Sequence, residues 1–365
     1  MTSPLLELPG AVAASGADAA VALHYGDPVR EQRALTRGVG FVDRSHRGVL
    51  AVPGEDRLTW LHDITSQHVR ELADGTGSEL LVLSPQGHVE HHAVLSDLGG
   101  TAWLDVEPGT AAGLLRYLEM MRFFSRVEPR EATAEWAVLT LVGPDTVRVL
   151  AELGVAGPLA AYQVVSLAGG GWLRAMPDMV APRADLVVPR DLLATVAERL
   201  TGLGATPAGL WAYDALRVEA RQPRLGVDTD HRTLPHEVGW IGVAVHLDKG
   251  CYRGQETVAR IHNLGQPPRR LVLLHLSGES EELPEPGTPV ESGRTVGRTG
   301  TAVRHHELGQ VALALVKRTL PDDASLSVGG VPASIDPSGQ ADSPAGGGAG
   351  RLARAALRRS DTIGA

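Results

Sequence analysis

The chain has 365 residues, 43% of them hydrophobic and 21% charged, with a formal net charge of −9 at pH 7. This length exceeds what one hydrophobic core usually supports, so we expect two or three packed units. The acidic balance argues against broad electrostatic binding to nucleic acid or to an anionic membrane. The single cysteine, Cys251, excludes an intramolecular disulfide.

The first 21 residues have no basic region followed by an apolar core, and we interpret residues 1–21 as an N-terminal extension rather than a signal peptide. No uninterrupted apolar run in the chain is long enough to cross a bilayer, so we expect no membrane-spanning helix. Together with the lone cysteine, these features predict a cytoplasmic protein.

Residues 22–265 mix the periodicities of helices and strands. Residues 79–97 indicate a hairpin, with two apolar strands on either side of a turn at 84–87. The helical spacing of apolar residues predicts helices near 109–121, 189–203 and 208–220. This part of the chain therefore has an α+β arrangement and forms the first large domain.

Residues 268–336 form a second unit, which begins at the second of two consecutive prolines, Pro267 and Pro268. Short strands separated by Gly/Pro turns are predicted at 271–276, 295–303, 310–316, 326–328 and 331–335. This pattern favours a small antiparallel β-barrel or sandwich. Residues 337–365 are rich in Gly, Pro, Ala and Ser and are predicted to be a flexible tail.

The octapeptide from Lys249 to Glu256 concentrates residue types that are rare in this chain. Of 34 cationic side chains only two are lysine, and Lys249 stands two residues before the only cysteine. The octapeptide comprises Lys249, Gly250, Cys251, Tyr252, Arg253, Gly254, Gln255 and Glu256. Such a concentration indicates chemistry or a tight steric demand, with chance as the alternative.

This octapeptide matches the K-G-C-[FY]-x-G-Q-E signature, and R-V-E-A and L-P-x-E blocks precede it in register. Over residues 22–336 the chain therefore resembles the YgfZ family, whose members are related to the glycine-cleavage T-protein. The resemblance implies a T-protein-like fold of two intertwined α+β subdomains followed by a small antiparallel β-barrel. It further implies a folate-binding domain at 22–265, with tetrahydrofolate or a one-carbon derivative as the ligand.

The same resemblance implies a role in supporting the assembly or repair of iron–sulfur enzymes, including those that modify tRNA. The expected partners are folate and iron–sulfur carrier or client proteins, with no membrane and no strong direct binding of nucleic acid.

Glu219 is the candidate for binding the pterin, because a carboxylate can accept two adjacent N–H groups in one plane. It lies near the end of a predicted helix and matches the pterin-binding glutamate of the family; the alternative is a solvated helix residue. The anionic glutamate tail of folate favours arginine. The candidates for this contact are Arg217, Arg253 and Arg260, with Arg221 and Arg224 also near in sequence.

Cys251 is the candidate functional thiol, with Lys249 and Arg253 two residues away on either side. In an extended loop, this electropositive setting would raise the reactivity of the thiol. The alternative is a buried and inert cysteine. One thiol cannot supply the usual ligands of a zinc or iron–sulfur site within one chain, so we predict no such site here.

The T-protein family carries a G-x-[IV]-x-D-D motif whose first Asp is catalytic, and the matching segment here places His91 at that position. Active aminomethyl transfer is therefore not expected. A folate-dependent one-carbon transferase or demethylase stays an alternative, with Glu90 or Asp97 as its acid or base. A structural module without ligand is the third possibility.

The histidines of this hairpin also raise the question of a metal site. Strand alternation would place His88, Glu90 and His92 on one face. Because these positions spread over about 13 Å of backbone, a polar strand face is favoured over a metal site.

Overall fold

The computed structural model describes residues 1–337 of the chain. Apart from Pro337, the tail predicted at 337–365 lies outside the described residues. The described part contains seven α-helices, none of them long and apolar enough to span a bilayer. The helices are α1 (Pro28–Arg37), α2 (Arg57–Ile64), α3 (Ala111–Met120), α4 (Thr146–Glu152), α5 (Leu193–Gly202), α6 (Leu210–Glu219) and α7 (Gln255–Leu264).

The strands fall into a short N-terminal pair, two larger sheets and a closed barrel. Those that precede the barrel are β1 (Val12–Ala13), β2 (Ala22–His24), β3 (Gly40–Asp43), β4 (Gly48–Pro53), β5 (Thr76–Leu83), β6 (Val89–Leu98), β7 (Thr101–Val106), β8 (Arg130–Glu131), β9 (Trp136–Val142), β10 (Val164–Ser166), β11 (Trp172–Met176), β12 (Arg183–Pro189) and β13 (Thr206–Ala208). The barrel strands are β14 (Arg269–Leu276), β15 (Pro289–Glu291), β16 (Thr295–His305), β17 (Gly309–Lys317), β18 (Leu326–Val328) and β19 (Val331–Ile335).

The first large sheet has the order β10-β11-β12-β9-β3-β13, and the second has the order β5-β6-β7-β4-β8. The chain leaves the first sheet after β3, builds the whole second sheet with β4 to β8, and returns to the first sheet with β9. This exchange makes the two α+β subdomains intertwined, which confirms the predicted fold class. Helices α2 and α3 cover one face of the second sheet, while residues of α4 and α5 pack against the first.

Three tryptophans join the two sheets. Trp103, Trp136 and Trp172 lie on β7, β9 and β11, and their ring centroids are 4.8 to 5.4 Å apart. Aromatic rings bury large areas and hold their neighbours in a fixed orientation. The cluster therefore helps to set the spacing of the two sheets.

The barrel closes in the order β14-β17-β16-β15-β18-β19 with antiparallel pairing, as the resemblance implied. Five of its six strands lie where the sequence predicts them, and β15 is the additional one. Helix α6 packs on the barrel through Ala215 and Val218, which contact an apolar cluster that includes Leu313. The barrel is thereby attached to the helix that carries Glu219.

The first 21 residues pack against the first sheet instead of extending from it. Leu5 is buried in the core of that sheet, and the hydroxyl of Ser3 donates to the carboxylate of Asp43. Asp18 reaches further and forms two hydrogen bonds of 2.9 Å with the guanidinium of Arg224. The N-terminal segment therefore belongs to the folded core.

Candidate functional site

A cavity of about 280 Å³ lies where the two sheets, helix α6 and the loop after α6 meet. Its wall is rich in charged side chains from all of these elements. The cationic ones are Arg44, Arg47, Arg183, Arg217, Arg221 and Arg224, and the anionic ones are Glu79, Asp105, Glu107, Asp185 and Asp214. Ligand sites are concave and carry a few convergent polar groups, so this cavity is the candidate binding site.

Most of these charges neutralise one another. Arg224 donates to Glu107 at 2.9 Å as well as to Asp18, and Arg47 lies 2.9 Å from Asp105 while it also pairs with Glu107. Burial would raise the pKa of Glu107, but Arg47 and Arg224 hold it well below its usual range. This part of the wall is a rigid ion-pair network that is already satisfied.

Arg183 differs from the other arginines of the wall. It is 8% exposed, and its guanidinium donates only to neutral acceptors, the carbonyl oxygen of Pro177 at 2.8 Å and the hydroxyl of Tyr213 at 3.0 Å. Within residues 1–337 it forms no ion pair with a carboxylate. Glu79 and Asp185 act on Arg183 electrostatically, but neither accepts a hydrogen bond from its guanidinium, so this position favours an anionic or strongly polar ligand group.

His92 projects from β6 into the cavity wall and is held from two sides. Its Nε2 lies 2.8 Å from a carboxylate oxygen of Glu79, and its ring stacks on Trp240 with centroids 4.9 Å apart. Tyr162 donates to the other oxygen of Glu79 at 2.7 Å. Burial would raise the pKa of Glu79, but the contacts with His92 and Tyr162 lower it to about 2.

A β-bulge at Glu90 separates His91 and His92 from the start of the strand. The pairing of β5 with β6 passes from Val82–His91 to Leu83–Val89, which leaves Glu90 as an extra residue. The alternation that would place His88, Glu90 and His92 on one face is therefore wrong, because it assumes a regular strand.

His91, at the position of the catalytic Asp, faces helix α3. A Cβ atom at Gly113 would lie 3.1 Å from Cε1 of His91. Burial lowers the pKa of His91. Of the two adjacent histidines it is His92 that lines the cavity, a distinction that strand alternation by itself did not provide.

The signature octapeptide packs at the edge of the second sheet, and none of its eight residues, all of them described, lines the cavity. Lys249 is buried, and its ammonium donates to the carbonyl oxygens of His62 and Thr65 at the end of α2. Burial lowers the pKa of Lys249 to about 8. The lysine therefore points into the protein, while the thiol of Cys251 is exposed.

The remainder of the octapeptide fastens this segment to the hairpin of β5 and β6. Arg253 pairs with Glu90 at 2.9 Å, and Gly254 has φ +83° beside the turn. A Cβ atom at Gly254 would lie 2.5 Å from the carbonyl oxygen of Ser84. Only residues 249–254 form a loop, because α7 begins at Gln255.

The predicted folate contacts lie in different places. The carboxylate of Glu219 faces the barrel, 3.0 Å from Nε2 of His305, and Glu219 is not part of the cavity wall. Arg217 does line the cavity, but it is buried and bonded to Asp214 at 2.9 Å and Asp228 at 2.7 Å. Arg253 and the exposed Arg260 lie outside the wall. Sequence reasoning missed Glu79, Arg183 and Trp240, which carry no motif of their own.

Comparison with known families agrees with this architecture. The sequence profile of the GCVT N-terminal domain matches residues 7–164, and that of the CAF17 C-terminal β-barrel domain matches residues 269–341. The chain belongs to the CAF17/YgfZ family. This family is aminomethyltransferase-like and folate-binding, and the match confirms the resemblance that the signature octapeptide indicated.

Individual relatives of this CAF17/YgfZ chain include proteins described as transferases and aminomethyltransferases. A protein of Arabidopsis thaliana described as a chloroplastic transferase is 27% identical over 272 residues, which cover 73% of this chain and 62% of that protein, less than two thirds of its length. An aminomethyltransferase of Symbiobacterium thermophilum is 28% identical over 297 residues, which cover 76% of this chain and 78% of the relative.

Among solved structures, the glycine cleavage system aminomethyltransferase T from Bartonella henselae superposes with a TM-score of 0.79. The superposition covers 91% of this chain and 94% of that one at 20% identity. At this identity the similarity establishes the shared fold alone.

Proposed function

We propose that the chain is a cytoplasmic tetrahydrofolate-binding accessory protein of the YgfZ type. In this proposal it supports the assembly or repair of iron–sulfur enzymes, including tRNA-modifying ones, through contacts with iron–sulfur carrier or client proteins. The observation that carries the folate part is the charged cavity between the two subdomains, with His92 and Arg183 in its wall. The accessory role rests on family membership and on the exposed thiol of Cys251.

The cavity residues fit the chemistry of a reduced folate. Tetrahydrofolate presents N–H donors on its pterin ring and carboxylates on its tail. His92 offers a hydrogen-bond acceptor, and Arg183 offers donors that no carboxylate occupies among the described residues. Glu219, Arg253 and Arg260 would contribute to binding only if the ligand extends beyond the cavity.

Aminomethyl transfer by the T-protein mechanism is not part of the proposal. The motif position of the catalytic Asp holds His91, which packs against α3 rather than into the cavity. The alternative carboxylates do not replace it: Glu90 pairs with Arg253, and Asp97 is fully buried with Arg57 at 2.6 Å. Neither carboxylate is free to serve as an acid or base toward a bound folate.

A second candidate function is a folate-dependent one-carbon transferase or demethylase. One observation favours it: the carboxylate-bonded imidazole of His92 has the arrangement of a general base. Turnover of a one-carbon donor with tetrahydrofolate that is lost in His92→Phe would support this candidate over the accessory role. A structural module without ligand is the third possibility, and it predicts no folate binding.

The test is calorimetric titration of tetrahydrofolate, without oxygen, into the wild-type protein and into four variants. We expect Arg183→Met to weaken binding about tenfold or more, as loss of a charge-assisted hydrogen bond does. Arg232→Met is the control, because Arg232 is exposed and lies outside the cavity wall. Glu219→Ala and Cys251→Ala should retain binding, since neither residue lines the cavity. If the wild-type protein does not bind tetrahydrofolate, the folate proposal is wrong.

The accessory role needs a separate measurement. In host cells that lack the chain, the activity of an iron–sulfur tRNA-modifying enzyme should fall and should recover with the wild-type chain. Recovery should fail with Cys251→Ala although this variant still binds tetrahydrofolate. Full enzyme activity without the chain would contradict the accessory role while leaving folate binding intact.

A further inference from the structure

The contact with Glu79 determines which ring nitrogen of His92 carries the hydrogen. A carboxylate whose pKa is about 2 is ionised at neutral pH, and its oxygens only accept hydrogen bonds. The Nε2 atom of His92, 2.8 Å from Glu79, must therefore be the donor. In the neutral imidazole this leaves Nδ1 with its lone pair free, as an acceptor.

Two further contacts restrict the motion of Glu79 and His92, while the charge of the carboxylate decides which nitrogen of His92 carries the hydrogen. Tyr162 occupies the second oxygen of Glu79, so the carboxylate cannot turn away from the histidine without losing that bond. The stack on Trp240, with an interplanar angle of 12°, prevents the imidazole ring from flipping freely. Within residues 1–337, Nδ1 of His92 has no hydrogen-bond partner, and His92 lines the cavity. The acceptor is thus available to a ligand.

We propose that His92 selects the reduced form of folate by presenting Nδ1 as a hydrogen-bond acceptor, with Glu79 as the positioning residue. This inference rests on the proposed function, the binding of folate in this cavity. In tetrahydrofolate the two nitrogens of the reduced ring carry N–H groups and donate. In folic acid the same nitrogens are aromatic and present lone pairs, so an acceptor in the protein faces an acceptor in the ligand.

The size of the discrimination follows from the cost of an unpaired polar group. A buried acceptor that loses its donor and faces another lone pair costs roughly 10- to 100-fold in affinity. A hydrophobic wall at this position would distinguish the two ligands weakly, because they have nearly the same shape. The hydrogen-bonding state of His92 is therefore the feature that separates them.

The decisive experiment compares the dissociation constants of tetrahydrofolate and folic acid, measured by calorimetry for the wild type and three variants. The wild type should prefer tetrahydrofolate by at least about tenfold. His92→Phe keeps a ring that can stack on Trp240 but has no acceptor, so the preference should fall to about twofold or less.

Glu79→Gln tests the positioning role. In this variant Tyr162 still donates to the side-chain carbonyl oxygen, so the new amide group donates to Nε2 of His92 and the ring hydrogen moves to Nδ1. The preference should then be lost or reversed in favour of folic acid, which a merely structural role would not produce. Tyr162→Phe is the matched control: it removes the other hydrogen bond to Glu79 but leaves the carboxylate ionised, so the preference should persist.

Thermal unfolding of each variant shows whether it is folded. Equal wild-type affinities for the two ligands, or an unchanged preference in folded His92→Phe or Glu79→Gln, would overturn the inference and leave the folate proposal standing. No binding of either ligand by the wild type would overturn both.

Discussion

The ammonium of Lys249 donates to the carbonyl oxygen of Thr65 at 2.5 Å, one residue beyond the end of helix α2. It also donates to the carbonyl of His62, so one side chain satisfies two carbonyl groups that the end of a helix leaves without partners. The positive charge also complements the negative end of the helix dipole. The lysine of the signature therefore fastens the octapeptide to the second subdomain and leaves Cys251 at the surface.

Replacing Lys249 by Met should lower the free energy of unfolding by about 2 kcal/mol, because two carbonyl groups lose a charged donor. Urea unfolding followed by tryptophan fluorescence measures this change. Cys251→Ser in the same segment is the control and should be nearly neutral, since the thiol is exposed. Equal stabilities of Lys249→Met and the wild type would mean that the two hydrogen bonds contribute nothing.

Gly254→Ala should destabilise the protein by more than about 1 kcal/mol, because φ +83° is strained for alanine and its Cβ would meet the carbonyl oxygen of Ser84. Gly250→Ala is the matched control in the same loop. A Cβ atom at Gly250 would meet no atom within 4 Å, and its backbone is not left-handed. Thermal unfolding should give a clearly higher Tm for Gly250→Ala than for Gly254→Ala. The reverse order of the two Tm values would contradict the packing of this loop against the hairpin.

The free energy of unfolding should decrease as the pH falls from about 6.5 to about 4, and His236 is one of the groups responsible. Burial, with a smaller effect of His262, lowers the pKa of His236 from 6.5 to about 4. Below pH 6.5 the unfolded chain gains a proton at this position and the folded protein does not, so stability decreases as the pH falls to about 4. His236→Phe should make the free energy of unfolding depend less steeply on pH in this window, where His62, whose pKa is also lowered to about 4, still contributes.

The control for that measurement is His231→Phe, because His231 is exposed. Urea unfolding at several pH values measures how the free energy of unfolding of each protein changes with pH. If the free energy of unfolding of His236→Phe depends on pH as steeply as that of the wild type, other groups control the acid sensitivity.

Leu5→Ala should lower the free energy of unfolding by about 3 kcal/mol, as large-to-small substitutions in a packed core do. Leu5 is 2% exposed and packs in the core of the first sheet. Glu7→Ala, at an exposed position of the same segment, should change stability little. Urea unfolding distinguishes the two, and a neutral Leu5→Ala would mean that residues 1–21 are dispensable for the fold.

Local patterns in the sequence predicted the barrel strands, the hairpin of β5 and β6, and helices α3, α5 and α6. These elements depend on periodicity and on turn residues that lie within a few positions of one another. The signature octapeptide likewise indicated the family, because its residue types and spacing are contiguous in the chain. The intertwining of the subdomains came from the resemblance rather than from periodicity.

The identity of the cavity-facing histidine required the tertiary structure. Alternation puts His91 and His92 on opposite faces of β6, but only the packing of the two sheets shows that the face of His92 meets the cavity. The position of Glu219 depends on His305, 86 residues away, whose strand brings the barrel against α6. Lys249 likewise meets carbonyl groups more than 180 residues away in the chain.

The sequence by itself thus determined the family, the order of the domains and most local elements, since these arise from short-range periodicity and contiguous motifs. Only the tertiary structure decided which side chains surround the cavity. Those side chains come from two sheets, helix α6 and the loop after α6, and they are brought together by strand pairing and by the burial of apolar surfaces that are distant in sequence.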